Sequence, residues 1–286
     1  MINKIVETAK EAGKEILEIY GSGDFGVSFK DDSSPLTKAD MASNEIITDG
    51  LKKISGLPVV SEEADVEYDV RKNWEYFWLV DPLDGTKDFI ARNGQFTVNI
   101  ALVHSNKPVL GVIYIPVLGA AYWAESGGGA YREIEIYGSG DSQAAHISGC
   151  VERIYNLSRR TDLIASDSVF HSSAETKNFL EKNNITRIKR FGSSLKYCRL
   201  AEGEIDIYPR FNGTKEWDTA AGQVILSEAG CKIMDLKTKQ NLKYNKPDIR
   251  NNFFIAMRGD LEVDCESYCI GGGAGNAAAP ADGRPA

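Results

Sequence analysis

Between residues 2 and 20 apolar side chains return every three or four positions, at Ile5, Val6, Ala9, Ala12, Ile16 and Leu17, and Gly21-Ser22-Gly23 closes the run. That period predicts an amphipathic opening helix. A short alternation at Val27 and Phe29 predicts a strand, and residues 31–35 a polar loop. Thr37 stands where an N-cap belongs, ahead of a helix that carries Met41, Ile46, Ile47 and Leu51 and stops at Gly56 and Pro58. Two buried strands follow: residues 57–60 deliver Ser61-Glu62-Glu63, and residues 76–80 deliver Asp81. Both runs end on acid.

From Phe96 to Trp123 the period is two, with strands over 97–103, 109–115 and 120–124 and a Ser105-Asn106-Lys107-Pro108 turn, which predicts an antiparallel sheet. Beyond about 138–141 strands (164–165, 188–191, 205–208, 232–234, 253–256) alternate with helices (173–181, from Leu195, 218–229), the grammar of an α/β layer. Residues 1–140 therefore read as an N-terminal α+β subdomain and 141–264 as a C-terminal α/β subdomain. Residues 265–286, mostly Gly, Ala and Pro, read as a disordered tail without a functional role.

Composition narrows this picture. At 286 residues with 42% hydrophobic and 26% charged positions, the chain is neither collagen-like, coiled-coil nor disordered. A net charge of −8 opposes general nucleic-acid binding, so an anionic substrate must be held by metal ions or a few placed cations. No apolar stretch reaches the ~18 residues of a membrane span and no signal peptide is evident, which reads as a cytoplasmic protein, peripheral membrane association left open. Five scattered cysteines (Cys150, Cys198, Cys231, Cys265, Cys269) suit reduced thiols, and three dispersed histidines (His104, His146, His171) do not suggest a metal site. Chemistry falls to the carboxylates.

Asp81-Pro82-Leu83-Asp84-Gly85-Thr86 concentrates them. Proline fixes the backbone after Asp81 and Gly85 relieves the turn, so two carboxylates and the Leu83 carbonyl can converge, a donor set for a hard cation such as Mg2+. The helix start that follows adds N–H groups from Gly85 and Thr86 for an anion. Taken alone, the hexapeptide reads equally as a turn with Thr86 as a helix cap. Glu62-Glu63 and Trp217-Asp218 add acid at two other chain points, although each alone reads as a loop acid, and Asp218 as an N-cap.

Ser61-Glu62-Glu63, Asp81 to Thr86 with Lys87-Asp88-Phe89, and Trp217 to Gly222 resemble, in order and separation, the three signature motifs of the lithium-sensitive, magnesium-dependent inositol monophosphatase superfamily. The resemblance runs from the first helix to about Ala256. Ser34 to Asp40, the Leu-Asp-Gly-Thr-Lys form of the central motif, Phe191 to Lys196, and Ala201-Glu202-Gly203 leading to Tyr208-Pro209-Arg210 look like the CysQ-type 3'(2'),5'-bisphosphate nucleotidases. The end of the chain from about Asp264 departs from that pattern.

The resemblance implies a layered αβαβα sandwich, with metal held mainly in the first subdomain, substrate in the second and the site between them. It implies hydrolysis of adenosine 3',5'-bisphosphate to AMP and phosphate, as in sulfate assimilation and recycling of that nucleotide, with two or three Mg2+ per site. Asp81 would bridge two ions, Glu62 and the Leu83 carbonyl complete the first, and Asp84 with Asp218 hold the second, Glu63 standing behind. Thr86 would orient the attacking water, and Asp40 would accept a hydrogen bond from the Thr86 hydroxyl and make it a better acceptor. Without the resemblance Asp40 reads equally as an exposed helix acid. Gly85, Thr86, Lys196, Arg210 and Asp218 would contact substrate. Inositol phosphatases tend to carry an acid near position 210, whereas arginine offers phosphate a fork of donors. Arg159 and Arg160 read as solvated loop cations, and Tyr197 and Phe191 as core or as a purine stack. Hydrolysis of inositol-1-phosphate or another sugar phosphate is the rival activity, and metal or nucleotide binding without turnover a third reading. A homodimer is compatible with all three.

Overall fold

The computed structural model describes residues 1–30, 33–137, 146–147, 149–170 and 172–268. Along the strand Thr97–His104, Val98, Ile100 and Leu102 enter one core while Ala101 and Val103 enter another, as a period of two requires of a strand covered on both faces. It lies in a seven-stranded sheet in the order Val151–Ile154, Gly129–Ile134, Ala120–Glu125, Lys107–Ile115, Thr97–His104, Tyr76–Asp84, Val59–Ser61. Only the last pair is parallel. Helices Ile2–Ser22 and Lys38–Ser55 cover one face, Ile5, Ala9, Ile47 and Leu51 meeting Trp78, Ile100 and Val112.

Helices Leu195–Ala201 and Ala220–Glu228 lie on the other face. Their side chains Tyr197, Val224 and Ile225 share one core with Phe77, Leu79 and Val103 of the first sheet and with Tyr208, Phe254 and Ala256 of a second. That sheet has five strands in the order Arg187–Phe191, Ile164–Ser168, Ile207–Arg210, Phe254–Arg258, Cys231–Asp235. Its outer face, with Ile207, Ile255 and Met257, is closed by Phe179 and Leu180 of the helix Ala174–Lys182. Helix, sheet, helix, sheet, helix is the αβαβα layering that the sequence motifs implied.

The structure departs from the periodicity at three places. The first sheet takes two more strands after residue 124, Gly129–Ile134 and Val151–Ile154, so the change of sheet falls after Ile154 rather than near 138–141. Val151–Ile154 is an edge strand with three exposed residues, and Arg132, Glu133, Glu152 and Arg153 break the apolar alternation that reveals inner strands. Residues 138–145 themselves lie outside the described residues. The expected tail begins folded: Cys265 is buried, and the Tyr268 ring centre lies 4.8 Å from that of Phe211, tilted, and 5.7 Å from that of Phe179, edge-on, while 269–286 lie outside the described residues. Pro35–Leu36 pairs with Ser28–Phe29 where a loop was expected. Among the described residues no helix is long and apolar enough to cross a membrane.

Candidate active site

Three chain points meet at one end of the first sheet. Val59–Ser61 runs parallel to Tyr76–Asp84, and the Glu62 N–H donates to the Val80 carbonyl at 3.1 Å, so Glu62 emerges beside Asp81. Past Asp81 the pairing with Thr97–His104 slips until Asp84, and in the slip the Asp81 carboxylate accepts from the Leu83 N–H at 3.2 Å. The third point is a single 3-10 turn, Glu216–Asp218. Asp218 was open to reading as the cap of the following helix. Instead its Oδ2 accepts the Lys215 N–H at 2.7 Å, and Thr219 precedes the helix Ala220–Glu228 without a side-chain cap bond. One carboxylate oxygen each from Glu62, Asp81 and Asp218 lies within 4.8 Å of the others.

Thr86 and Asp40 also meet. Thr37 and Asp40 form a capping box at the start of Lys38–Ser55: Thr37 N–H and Oγ1–H donate to Asp40 Oδ2 at 2.7 and 2.5 Å, while Thr37 Oγ1 accepts from the Ala39 N–H. The other oxygen, Asp40 Oδ1, accepts the Thr86 hydroxyl at 3.1 Å. At 2% exposure Asp40 is not the exposed helix acid that residue type alone allowed. Gly85 turns the chain at φ 93°, and a Cβ there would stand 3.1 Å from Ser193 Cβ and 3.2 Å from the Gln95 carbonyl.

A cavity of about 290 Å3 opens over these groups, lined by Glu62, Asp81, Asp84 and Asp218, its acidic wall, and by Lys196 and Arg210, its basic wall. Burial, then the charges of Glu62, Asp84 and Asp218, pushes Asp81 well above the usual carboxylate range. Burial followed by the charges of Asp84 and Glu62 pushes Asp218 up to about 8. Asp40 is raised by burial against the opposing effect of its Thr37 bonds. Such a concentration of carboxylate and carbonyl oxygen suits a hard divalent cation. Asp84 keeps Oδ1 open: all of its bonds among the described residues fall on Oδ2, from Ser194 Oγ at 2.7 Å, Ser193 Oγ at 2.8 Å, and longer ones from Asn99 and Thr97.

The basic wall is built from two cations. Lys196 is buried, its Nζ donates to the Phe191 carbonyl at 3.0 Å and stands 5.3 Å over the Tyr208 ring. Burial, and then Arg210, lower its pKa to about 8. Arg210 Nε is buried without a hydrogen-bond partner among the described residues, a costly state for a guanidinium unless an anion arrives.

Other expected cations stand elsewhere. Arg160 is no loose loop residue: it donates to the Gly203 carbonyl at 2.6 Å and to buried Asp206 at 3.3 Å. Arg159 is exposed and bonds the Ser158 carbonyl. Tyr197 sits in the middle core, its ring 5.6 Å from Tyr208, and Phe191 packs against the same core. Lys30 went unremarked in the sequence, yet its ammonium bridges Glu62 at 3.0 Å and Glu63 at 2.7 Å. Thr97, Asn99 and Ser194 carry no motif signal of their own beyond the Phe191 to Lys196 segment. Small polar residues inside an apolar strand were the one available clue.

The sequence profile described as "Inositol monophosphatase family" matches residues 1–259. Over 247 residues the chain is 42% identical to 3'(2'),5'-bisphosphate nucleotidase CysQ of Buchnera aphidicola subsp. Acyrthosiphon pisum (strain APS), covering 86% of this chain and 88% of that one. Its counterpart in Escherichia coli (strain K12) is 40% identical over 241 residues, 84% of this chain and 92% of the relative. The crystal structure of CysQ from Bacteroides thetaiotaomicron superposes with a TM-score of 0.77 at 40% identity, over 90% of this chain and 97% of that one.

Proposed function

The chain belongs to the inositol monophosphatase family, and from that premise we propose how its own residues perform the reaction of a CysQ-type 3'(2'),5'-bisphosphate nucleotidase. The enzyme is a phosphoric monoester hydrolase, taking adenosine 3',5'-bisphosphate to AMP and phosphate. The observation that carries this reading is that one cavity is lined both by the clustered carboxylates and by two cations, buried Lys196 and Arg210, whose Nε is buried without a hydrogen-bond partner among the described residues. A substrate with two phosphates meets both, one to be cleaved at the acidic wall and one to be held at the basic wall.

Activity in this family depends on metal ions. The oxygen donors of Glu62, Asp81, Leu83, Asp84 and Asp218 fit Mg2+, two or three per site in our reading. When bound, such ions supply positive charge against the phosphoryl oxygens and make a bound water more acidic. Thr86 donates its hydroxyl hydrogen bond to Asp40 Oδ1, which turns the oxygen lone pairs of Thr86 outward to accept from and orient the attacking water. Thr37 holds the remaining Asp40 oxygen through two donors, so Asp40 is fixed as an acceptor. Arg210 and Lys196 hold the 5'-phosphate that stays on the product. The free thiols of Cys150, Cys198, Cys231 and Cys265 support a reducing, cytoplasmic setting.

The test is phosphate release, with Mg2+, from adenosine 3',5'-bisphosphate, inositol-1-phosphate and fructose-1,6-bisphosphate in parallel. A clear preference for the nucleotide is expected, and a preference for inositol-1-phosphate would overturn the assignment.

A further inference from the structure

The segment Phe191 to Lys196 serves both walls at once. Lys196, at its end, is tied back to the Phe191 carbonyl at its start. Between them, Gly192 donates its N–H to Gln95 Oε1 at 2.6 Å and is pressed so near Asp88 that a Cβ would stand 2.5 Å from Oδ1. Ser193 is held at φ 49°, a left-handed conformation that a serine adopts only when its surroundings impose it. Its hydroxyl lies 2.6 Å from Thr97 Oγ1 and 2.8 Å from Asp84 Oδ2. The segment therefore has little freedom to yield on one side without moving on the other.

Ser194 is the closest link. It is 1% exposed, and its Oγ donates to Asp84 Oδ2 at 2.7 Å while accepting from Asn99 Nδ2 at 2.9 Å. A hydroxyl has one proton to give, and Asn99, by filling the lone-pair side, directs that proton to Asp84 rather than to the Asp218 carbonyl 3.5 Å away. The bond aims Asp84 so that Oδ1 is left for a cation. Two residues on, Lys196 faces the anion subsite.

We propose that Ser194, directed by Asn99, is a positioning residue that couples occupancy of the Lys196 and Arg210 anion subsite to the Mg2+ affinity of the Asp84 side of the site. This rests on the assignment made above. Coupling between two ligands is reciprocal, so AMP tightens Mg2+ by the factor by which Mg2+ tightens AMP.

The experiment is calorimetric titration of Mg2+ into the full chain with and without saturating AMP, which carries the retained phosphate but has nothing to cleave. In the wild type AMP is expected to tighten Mg2+ by about fivefold or more. Ser194→Ala is expected to bring that factor below about twofold while Mg2+ still binds more weakly to the acidic wall. Asn99→Ala, which keeps the serine, frees its hydroxyl and also removes the longer Asn99 bond to Asp84 Oδ2, carries the same test should Ser194→Ala fail to fold, as judged by circular dichroism. A variant with the full wild-type factor, or a wild type that binds both ligands independently, overturns the coupling. A wild type that binds neither Mg2+ nor AMP overturns instead the functional assignment on which it rests.

Discussion

The two walls of the cavity hold buried charge of opposite sign. On the acidic wall Asp81 and Asp218 are driven toward their protonated forms by burial and by the neighbouring charges of Glu62 and Asp84, and on the basic wall Lys196 is driven toward its neutral form by burial and by Arg210. Away from the cavity the same residue types are matched: Asp206 is shared by Arg160, Arg258 and Ser158, and buried Glu216 holds Lys246 and two backbone N–H groups. Matched charges hold the fold. Unmatched ones mark where a ligand of opposite sign completes the molecule.

The largest test of this contrast is Asp84→Asn, which keeps the bonds to Oδ2 but removes the charge a cation needs. Turnover of the bisphosphate should fall about a thousandfold or more with the circular dichroism spectrum unchanged. Comparable turnover by the variant, or by the wild type in excess chelator, would remove metal from the acidic wall. Thr86→Val deletes the hydroxyl between Asp40 and the water. A loss of roughly a hundredfold in kcat with little change in KM is expected from steady-state kinetics. An effect confined to KM would make Thr86 a binding residue.

On the basic wall, a charge-assisted bond worth about 1.5–3 kcal/mol makes Arg210→Glu cost at least about tenfold in kcat/KM for the bisphosphate. Inositol-1-phosphate, which lacks a second phosphate, should lose much less. Equal losses on both substrates would class Arg210 with the matched, structural charges. A smaller effect separates the metal-free wall from its neighbours by pH. Asp218 has a folded pKa near 8, above its unfolded value, so its contribution to stability is complete below about pH 4 and is lost as pH rises through 8. In chelator the wild-type melting temperature should fall by a few degrees between about pH 5 and pH 8.5, and the slope should flatten in Asp218→Asn. Equal slopes in the two proteins would assign the pH dependence to other groups. The smallest effect on activity is expected at a matched charge. Arg160→Ala should lower stability by roughly 1 kcal/mol, because Arg258 and Ser158 still hold Asp206, and leave kcat/KM within about twofold. A tenfold loss of turnover there would erase the distinction between matched and unmatched cations.

Strand ends followed by acid made Glu62 and Asp81 legible, and a helix start made Asp218 legible, as three separate points, and the structure brings one carboxylate oxygen of each within 4.8 Å of the others. Inner strands were legible for the same physical reason: layers covered on both faces demand apolar runs. Val151–Ile154 was not, since an edge strand tolerates charge and loses the alternation, and neither was Gly129–Ile134 beside it, where Arg132 and Glu133 interrupt the apolar run. The capping residue Thr37 was readable from its place before a helix. That Asp40 returns the bond while its other oxygen reaches Thr86 was not, because a capping box says nothing about what lies 46 residues away. Lys30, Ser194 and Asn99 escaped for a related reason. Their roles are set by partners 15 to 110 residues distant, and single small polar or basic residues carry no period from which such pairings can be read.

The shared middle layer has a consequence for how the molecule comes into being. Its helices, Leu195–Ala201 and Ala220–Glu228, are made late in the chain, yet they form half of the lining that the first sheet needs on its inner face. Until they arrive, Phe77, Leu79 and Val103 have no cover, so a nascent chain that ends after the first sheet carries a sticky apolar surface rather than a finished domain. Hydrogen exchange should therefore show the two sheets opening together in one cooperative event, with no separately stable half. Because Asp218 precedes one of those helices directly, the catalytic pocket can be completed only in the same step that closes the hydrophobic interior.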